Sequence, residues 1–138
     1  MERRFLVFHA GKVGYALPLR EVAEVLEAPP VFPLPRVPDH VLGAINVHGA
    51  LTAVVDLARF TGTGRARPDG KALVIDARLA ALALWVDDVG SILPGQAILE
   101  GRPGEAPLTD AVLVTEGGAL HQLSLESLVE SLEAGLPE

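Results

Sequence analysis

The chain has no cysteine among its 138 residues. That removes disulfides, thiolate nucleophiles and cysteine-ligated zinc together. A reducing cytosol fits this usage, and with the start Met1-Glu2-Arg3-Arg4-Phe5, which has no apolar h-region or small-residue cleavage site, it leads us to expect a cytoplasmic domain. Aromatic residues make up only 4% against 49% hydrophobic content, so any core must be built from Leu, Val, Ile and Ala. Lysine occurs only twice, at Lys12 and Lys71, and the net charge is −7. Nucleic-acid affinity rests on clustered Lys and Arg, so no nucleic-acid partner is expected. No apolar run approaches the ~20 residues that span a bilayer, and we expect no direct membrane insertion.

Known chemical motifs are also missing. Gly11-Lys12 is followed by Val13, with no glycine five residues before the lysine, so there is no phosphate-binding P-loop. Gly62-Thr63-Gly64 starts a dinucleotide-type pattern that Arg67 ends. Asp87-Asp88 is a carboxylate pair, but neighbouring strand residues point to opposite faces and do not converge. No G-x-S-x-G surrounds any serine. His40 and His48, with Asp39 and Asp56, could in principle collect a metal or serve a small β-barrel enzyme or ligand binder, but they lack a closed ligand spacing such as H-E-x-x-H. We therefore expect no enzyme activity, no cofactor and no metal.

What is present is β-strand pattern. Val41–Val47 and Leu51–Leu57 are apolar runs joined at His48-Gly49, the signature of a β-hairpin. Leu51, Ala53, Val55 and Leu57 alternate with Thr52, Val54 and Asp56, and the first set reads as the core face. Phe5–Phe8 and Tyr15–Leu19 make an N-terminal hairpin across Gly11–Gly14, with Pro18 at an edge. Arg20–Glu27 carries Leu19, Val22, Ala23 and Leu26 at helical spacing and reads as a two-turn amphipathic helix. Ala28–Pro38 holds five of the eleven prolines and reads as an extended connector, packed to the body through Val31, Phe32, Leu34 and Val37.

Beyond the central hairpin, Ala58–Phe60 reads as one helical turn and Thr61–Gly70 as an exposed, mobile loop. Leu73–Ile75 and Leu82–Val86 are strands around a turn at Arg78–Ala80, and Val89–Leu93 is extended. Pro94–Asp110 reads as a long loop. Ala111–Thr115 and Leu120–Leu125 form a last hairpin, and Glu126–Glu133 a closing helix capped by Ser124 or Ser127. The sum is a single, mainly β, barrel-like domain over residues 1–138. A weak echo, hairpin then V-V-D-L and A-R-F against hairpin then L-S-L and E-S-L, suggests a duplicated small barrel. Approximate lobes would be 1–67 and 68–138.

Taken in order, F-L-V-F at Phe5–Phe8, Y-A-L-P-L at Tyr15–Leu19, V-A-E-V-L at Val22–Leu26, Leu34-Pro35, V-L-G-A-I-N-V-H-G at Val41–Gly49 and V-V-D-L at Val54–Leu57 resemble the CheW-like domain family. These are coupling adaptors of bacterial chemotaxis. Leu73–Ile75, Leu84–Val89 and Leu120–Leu128 match more loosely. The resemblance implies two small SH3-like β-barrel subdomains sharing an apolar core, with two or three short helices. It implies a non-catalytic scaffold that couples the cytoplasmic tip of a methyl-accepting chemoreceptor to the regulatory domain of a CheA-type histidine kinase. It carries a receptor-binding role onto Val22, Glu24, Asn46 and His48, and names no kinase-binding residues here. The family usually reads N-L-R-G where this chain has Asn46-Val47-His48-Gly49. Histidine is mostly neutral at pH 7 and lacks arginine's forked donors. That departure raises a pilus-based motility or other two-component pathway as the alternative setting. If His48 meets an acidic receptor residue, binding should strengthen as pH falls toward 6.

Overall fold

In the computed structural model, residues 3–134 are described. The first half of the chain contains β1 (Arg4–Ala10), β2 (Val13–Pro18), β3 (Val22–Glu27), β4 (Val41–Val47), β5 (Ala50–Asp56) and α1 (Leu57–Thr61). The second contains β6 (Lys71–Ile75), β7 (Leu82–Val86), β8 (Asp88–Pro94), β9 (Glu100–Pro103), β10 (Thr109–Thr115), β11 (Gly118–Leu123) and α2 (Leu125–Ala134). Two sheets result, ordered β8-β1-β2-β11-β10-β9 and β3-β6-β7-β5-β4.

The two sheets share a five-strand plan, to which the first adds β9 on β10. Two antiparallel hairpins are joined by one parallel pair, β2 with β11 in the first sheet and β5 with β7 in the second. A further antiparallel strand flanks the leading hairpin: β8 on β1, and β3 on β6. In chain order both halves therefore run hairpin, crossing strand, hairpin, helix. Each half lends its leading hairpin to one sheet and its later strands to the other. Strands from either side of residue 67 build both sheets.

The apolar alternation is divided between cores. On β6 and β7, Leu73, Ile75, Leu82, Leu84 and Val86 face a shared core between the sheets, where they meet Leu6, Phe8, Tyr15 and Leu17. Ala72, Val74, Ala83 and Trp85 point the other way, into the five-stranded sheet's own core with Ile45 and Val54. A strand buried on both faces needs apolar residues at every position, which is why β7 reads as an unbroken run. Phe5, Ala16 and Leu113 form the corresponding core of the six-stranded sheet.

Several expectations are corrected. Arg20–Glu27 is not a helix: a 3-10 turn at Leu19–Glu21 leads into β3, which pairs with β6. Burial alternates along V-A-E-V-L-E with period two, and pairing to β6 satisfies backbone groups that a helix of two turns would have left half unpaired. A register shift between Val22 and Glu24 turns Val22 to the shared core while Leu26 faces the sheet's own core. On β5 the apolar face holds only at its far end. Val55 and Leu57 are buried, but Leu51 is 73% exposed, and Thr52 and Asp56 are buried.

The expected long loop at Pro94–Asp110 contains β9, which pairs with β10. Its residues Glu100–Pro103 are exposed on both faces, so no alternation marks them, and an outer strand tolerates Pro103. Thr61–Gly70 is mostly irregular as read but tied down. Asp56 Oδ2 accepts from Ala66 N at 2.7 Å, and Trp85 Nε1 donates to the Arg67 carbonyl at 2.8 Å. In the proline connector Val31 packs on the core, whereas Phe32 and Leu34 stand exposed. Phe32 and Ala44 exchange two backbone hydrogen bonds of 2.8 Å, extending the sheet beyond β4. Gly43 makes that approach possible: its φ is +147°, and a Cβ there would lie 2.2 Å from the Phe32 carbonyl oxygen.

Candidate functional site

The β4–β5 turn is built by its own residues. His48 (φ 50°) and Gly49 (φ 90°) both adopt left-handed backbone, as a two-residue hairpin turn of type I′ requires. Histidine is one of the few side chains enriched in that region. The Asn46 side-chain oxygen accepts from Gly49 N at 2.7 Å and holds the turn closed.

Strands β3 and β4 are the outermost strands of the five-stranded order. The sheet curls until the β4–β5 turn reaches β3, where His48 Nε2 and Glu24 Oε2 lie 2.9 Å apart. The hydrogen bond to the carboxylate and its charge push the His48 pKa up. The His48 side chain is 79% exposed and that of Glu24 is 32% exposed. The acidic group that answers His48 is thus this chain's own Glu24.

Of the four residues carried over, Glu24, Asn46 and His48 come together at one corner of the sheet. Val22 lies on the same strand, but it is half-buried and packs against the shared core. Two exposed apolar residues escaped the sequence reading. Leu51 sits directly across from Asn46, and Phe32 across from Ala44 one position-pair along β4. Alternation had assigned Leu51 to the core and composition had assigned Phe32 to packing, so no sequence signal marked either.

The remaining candidate residues serve other purposes. Asp56 caps α1, accepting from Arg59 N at 3.2 Å. His40 packs edge-on against Phe60, with ring centroids 4.7 Å apart, and Asp39 pairs with Arg59 at 3.1 Å. Burial pushes the His40 pKa down, only partly offset by Asp39. Asp87 accepts from Gly11 N and Asp88 meets His9, so the two carboxylates diverge. Among the described residues no group of three His, Asp or Glu side chains is placed to hold a metal, and no helix is long and apolar enough to cross a membrane. The corner offers one carboxylate, one imidazole, one amide and neighbouring apolar surface.

Comparison with known proteins shows the family of the chain. The chain is 28% identical to chemotaxis protein CheW of Rhizobium meliloti, over 95% of this chain and 90% of that protein. It is 31% identical to a probable chemotaxis protein CheW of Rhizobium etli, over 96% and 91%. The fold matches the crystal structure of the scaffolding protein TtCheW from Thermoanaerobacter tengcongensis, with a TM-score of 0.78 at 21% identity, covering 91% of this chain and 90% of that one. The family model for the CheW-like domain matches residues 4–133, almost the whole of both sheets and both helices, and the chain belongs to that family.

Proposed function

We propose that this CheW-like adaptor couples the cytoplasmic tip of a chemoreceptor to the regulatory domain of a CheA-type histidine kinase, by protein contacts alone. The receptor meets the corner formed by Glu24, Asn46 and His48, with Val22 supporting β3 from beneath. The observation that carries this reading is the 2.9 Å contact between His48 and Glu24. It places the polar residues of the family's hairpin motif and of its V-A-E-V-L segment at one exposed point. Leu51 and Phe32 supply apolar surface beside it. Charged residues at such a rim set orientation and partner choice, while desolvated apolar neighbours supply affinity.

The test is a pull-down with the cognate receptor tip and kinase, followed by array assembly. Wild-type protein should capture both. Glu24→Ala and Leu51→Asp should each weaken receptor binding by about tenfold or more, equivalent to ~1.4 kcal/mol, with kinase binding unchanged. His48→Arg should retain receptor binding, because arginine keeps a donor toward Glu24. Failure of the wild-type protein to bind either partner would sink the proposal.

A further inference from the structure

Strand β9 ends the order of the six-stranded sheet, and all four of its residues are exposed. It pairs with β10 on one side, and among the described residues no strand takes the other. Such an edge is a template for a further strand. Just before it, Leu99 N donates to the Val114 carbonyl at 2.8 Å. Main-chain direction alternates along a strand, so Leu99, Gly101 and Pro103 turn their backbone groups to β10, while Glu100 and Arg102 turn theirs outward. Pro103 therefore subtracts no donor from the open edge. Gly101 serves nothing within the chain itself. Its backbone is not left-handed, and a Cβ there would meet nothing within 4 Å. A glycine inside a strand weakens it, and one with no local purpose marks a place where another backbone comes close.

We infer that β9 is a docking edge for a second copy of this chain, the two β9 strands pairing antiparallel about a two-fold axis at Gly101. The edge reads apolar, acidic, glycine, basic, apolar from Leu99 to Pro103. A two-fold interface must be self-complementary, and a charge pattern that changes sign across its own centre is so. In this register Glu100 of each copy lies opposite Arg102 of the other, and Leu99 opposite Pro103. The outward backbone groups of Glu100 and Arg102 exchange hydrogen bonds with their counterparts in both directions, and no donor is asked of Pro103. Gly101 meets Gly101 where paired strands come closest, with Cα atoms ~4.5 Å apart. Within one copy Arg102 Nη2 already lies 3.1 Å from Glu100 Oε2. In the pair each guanidinium sits between two carboxylates, and the charges alternate around the axis. An edge guarded by charges of one sign would repel its own copy; this edge attracts it. Leu99, 65% exposed, gains an apolar neighbour. The strand is short and each copy carries a net charge of −7, so the contact is weak and transient. Glu24, Asn46 and His48 lie on the other sheet, so the inference holds or fails separately from receptor coupling.

The test is sedimentation of the full-length protein between about 10 μM and about 1 mM, a range that reports a weak dimer. The weight-average mass of the wild type should climb from monomer toward dimer. Glu100→Arg and Arg102→Glu each set like charges opposite one another across the axis, and each should weaken self-association about tenfold or more. Both side chains stand more than half exposed, so neither variant disturbs the fold. An equimolar mixture of the two single variants restores opposite charges on both sides of the axis and should associate at least as well as the wild type. The double variant Glu100→Arg/Arg102→Glu reverses the pattern without breaking its symmetry and should also self-associate. A wild type that stays monomeric to about 1 mM, single variants that associate as the wild type does, or a mixture no stronger than its components would overturn the inference.

Discussion

The β4–β5–α1 and β10–β11–α2 units are the same device made with different side chains. In each, a hairpin's second strand ends on a capping residue and a leucine that enters the shared core: Asp56-Leu57 in one, Ser124-Leu125 in the other. Asp56 accepts from the N–H three residues on, and so does Ser124, from Ser127 N at 3.1 Å. The residue before each cap, Val55 or Leu123, lies in the same core. They differ in what else the cap holds. Asp56 also accepts from Ala66 and so fixes the segment leading to β6, whereas Ser124 serves its own helix. A hydroxyl suffices to start a helix. A buried carboxylate with two acceptor oxygens is needed to start one and tether a loop.

Removing the caps should expose that inequality. Asp56 is 2% exposed, and Asp56→Ala leaves two backbone N–H groups without their charged acceptor, so we expect a loss of about 3 kcal/mol in urea unfolding. Asp56→Ser should recover part of this, restoring the cap but not the tie to Ala66. Trp85→Phe tests the loop's other anchor. It deletes the indole N–H that reaches the Arg67 carbonyl while keeping most of the ring, and should cost about 1.5 kcal/mol. Ser124→Ala should cost least, ~1 kcal/mol, the ordinary worth of an N-cap. Equal losses at Asp56 and Ser124 would erase the distinction between the halves.

The sequence made much of this legible, for a physical reason. Strands buried on one or both faces advertise themselves through apolar period, so the hairpins at Phe5–Pro18, Val41–Asp56 and Thr109–Leu123 could be read with short boundary errors. The V-V-D-L and L-S-L echo was the trace of the repeated hairpin–helix unit. The exchange of strands between sheets left no local mark, because it depends on which backbone edges meet at long range. β3 was misread because V-A-E-V-L-E satisfies helical and strand spacing equally, and the decision came from β6. β9 was missed because an outer strand exposed on both faces carries no alternation. At the candidate site, the family motif pointed to Glu24, Asn46 and His48, but no rule of spacing could place Glu24 against His48 across the ends of a curled sheet. The exposure of Leu51 was hidden by a period that runs past the edge of the core.

The smallest effect concerns β4 itself, which has a histidine near each end with opposite linkage to folding. His40 precedes it, and burial lowers its pKa below the ordinary 6.5. As pH falls through 6.5 the unfolded chain takes up a proton that folded His40 resists, so this site costs stability toward acid. His48 follows the strand, and Glu24 raises its pKa above 6.5. Its stabilisation is fully present below 6.5 and fades as pH rises through the higher folded value. The two slopes oppose each other and the wild-type profile sums them. His48→Asn keeps a side chain suited to left-handed backbone and removes the titration, so stability should fall more steeply between pH 7.5 and 5.5 than in wild type. His40→Phe removes the opposing site and should flatten or invert the profile. Urea midpoints at three pH values for the wild type and both variants separate the terms. Identical profiles would mean that neither histidine couples the ends of this strand to protonation.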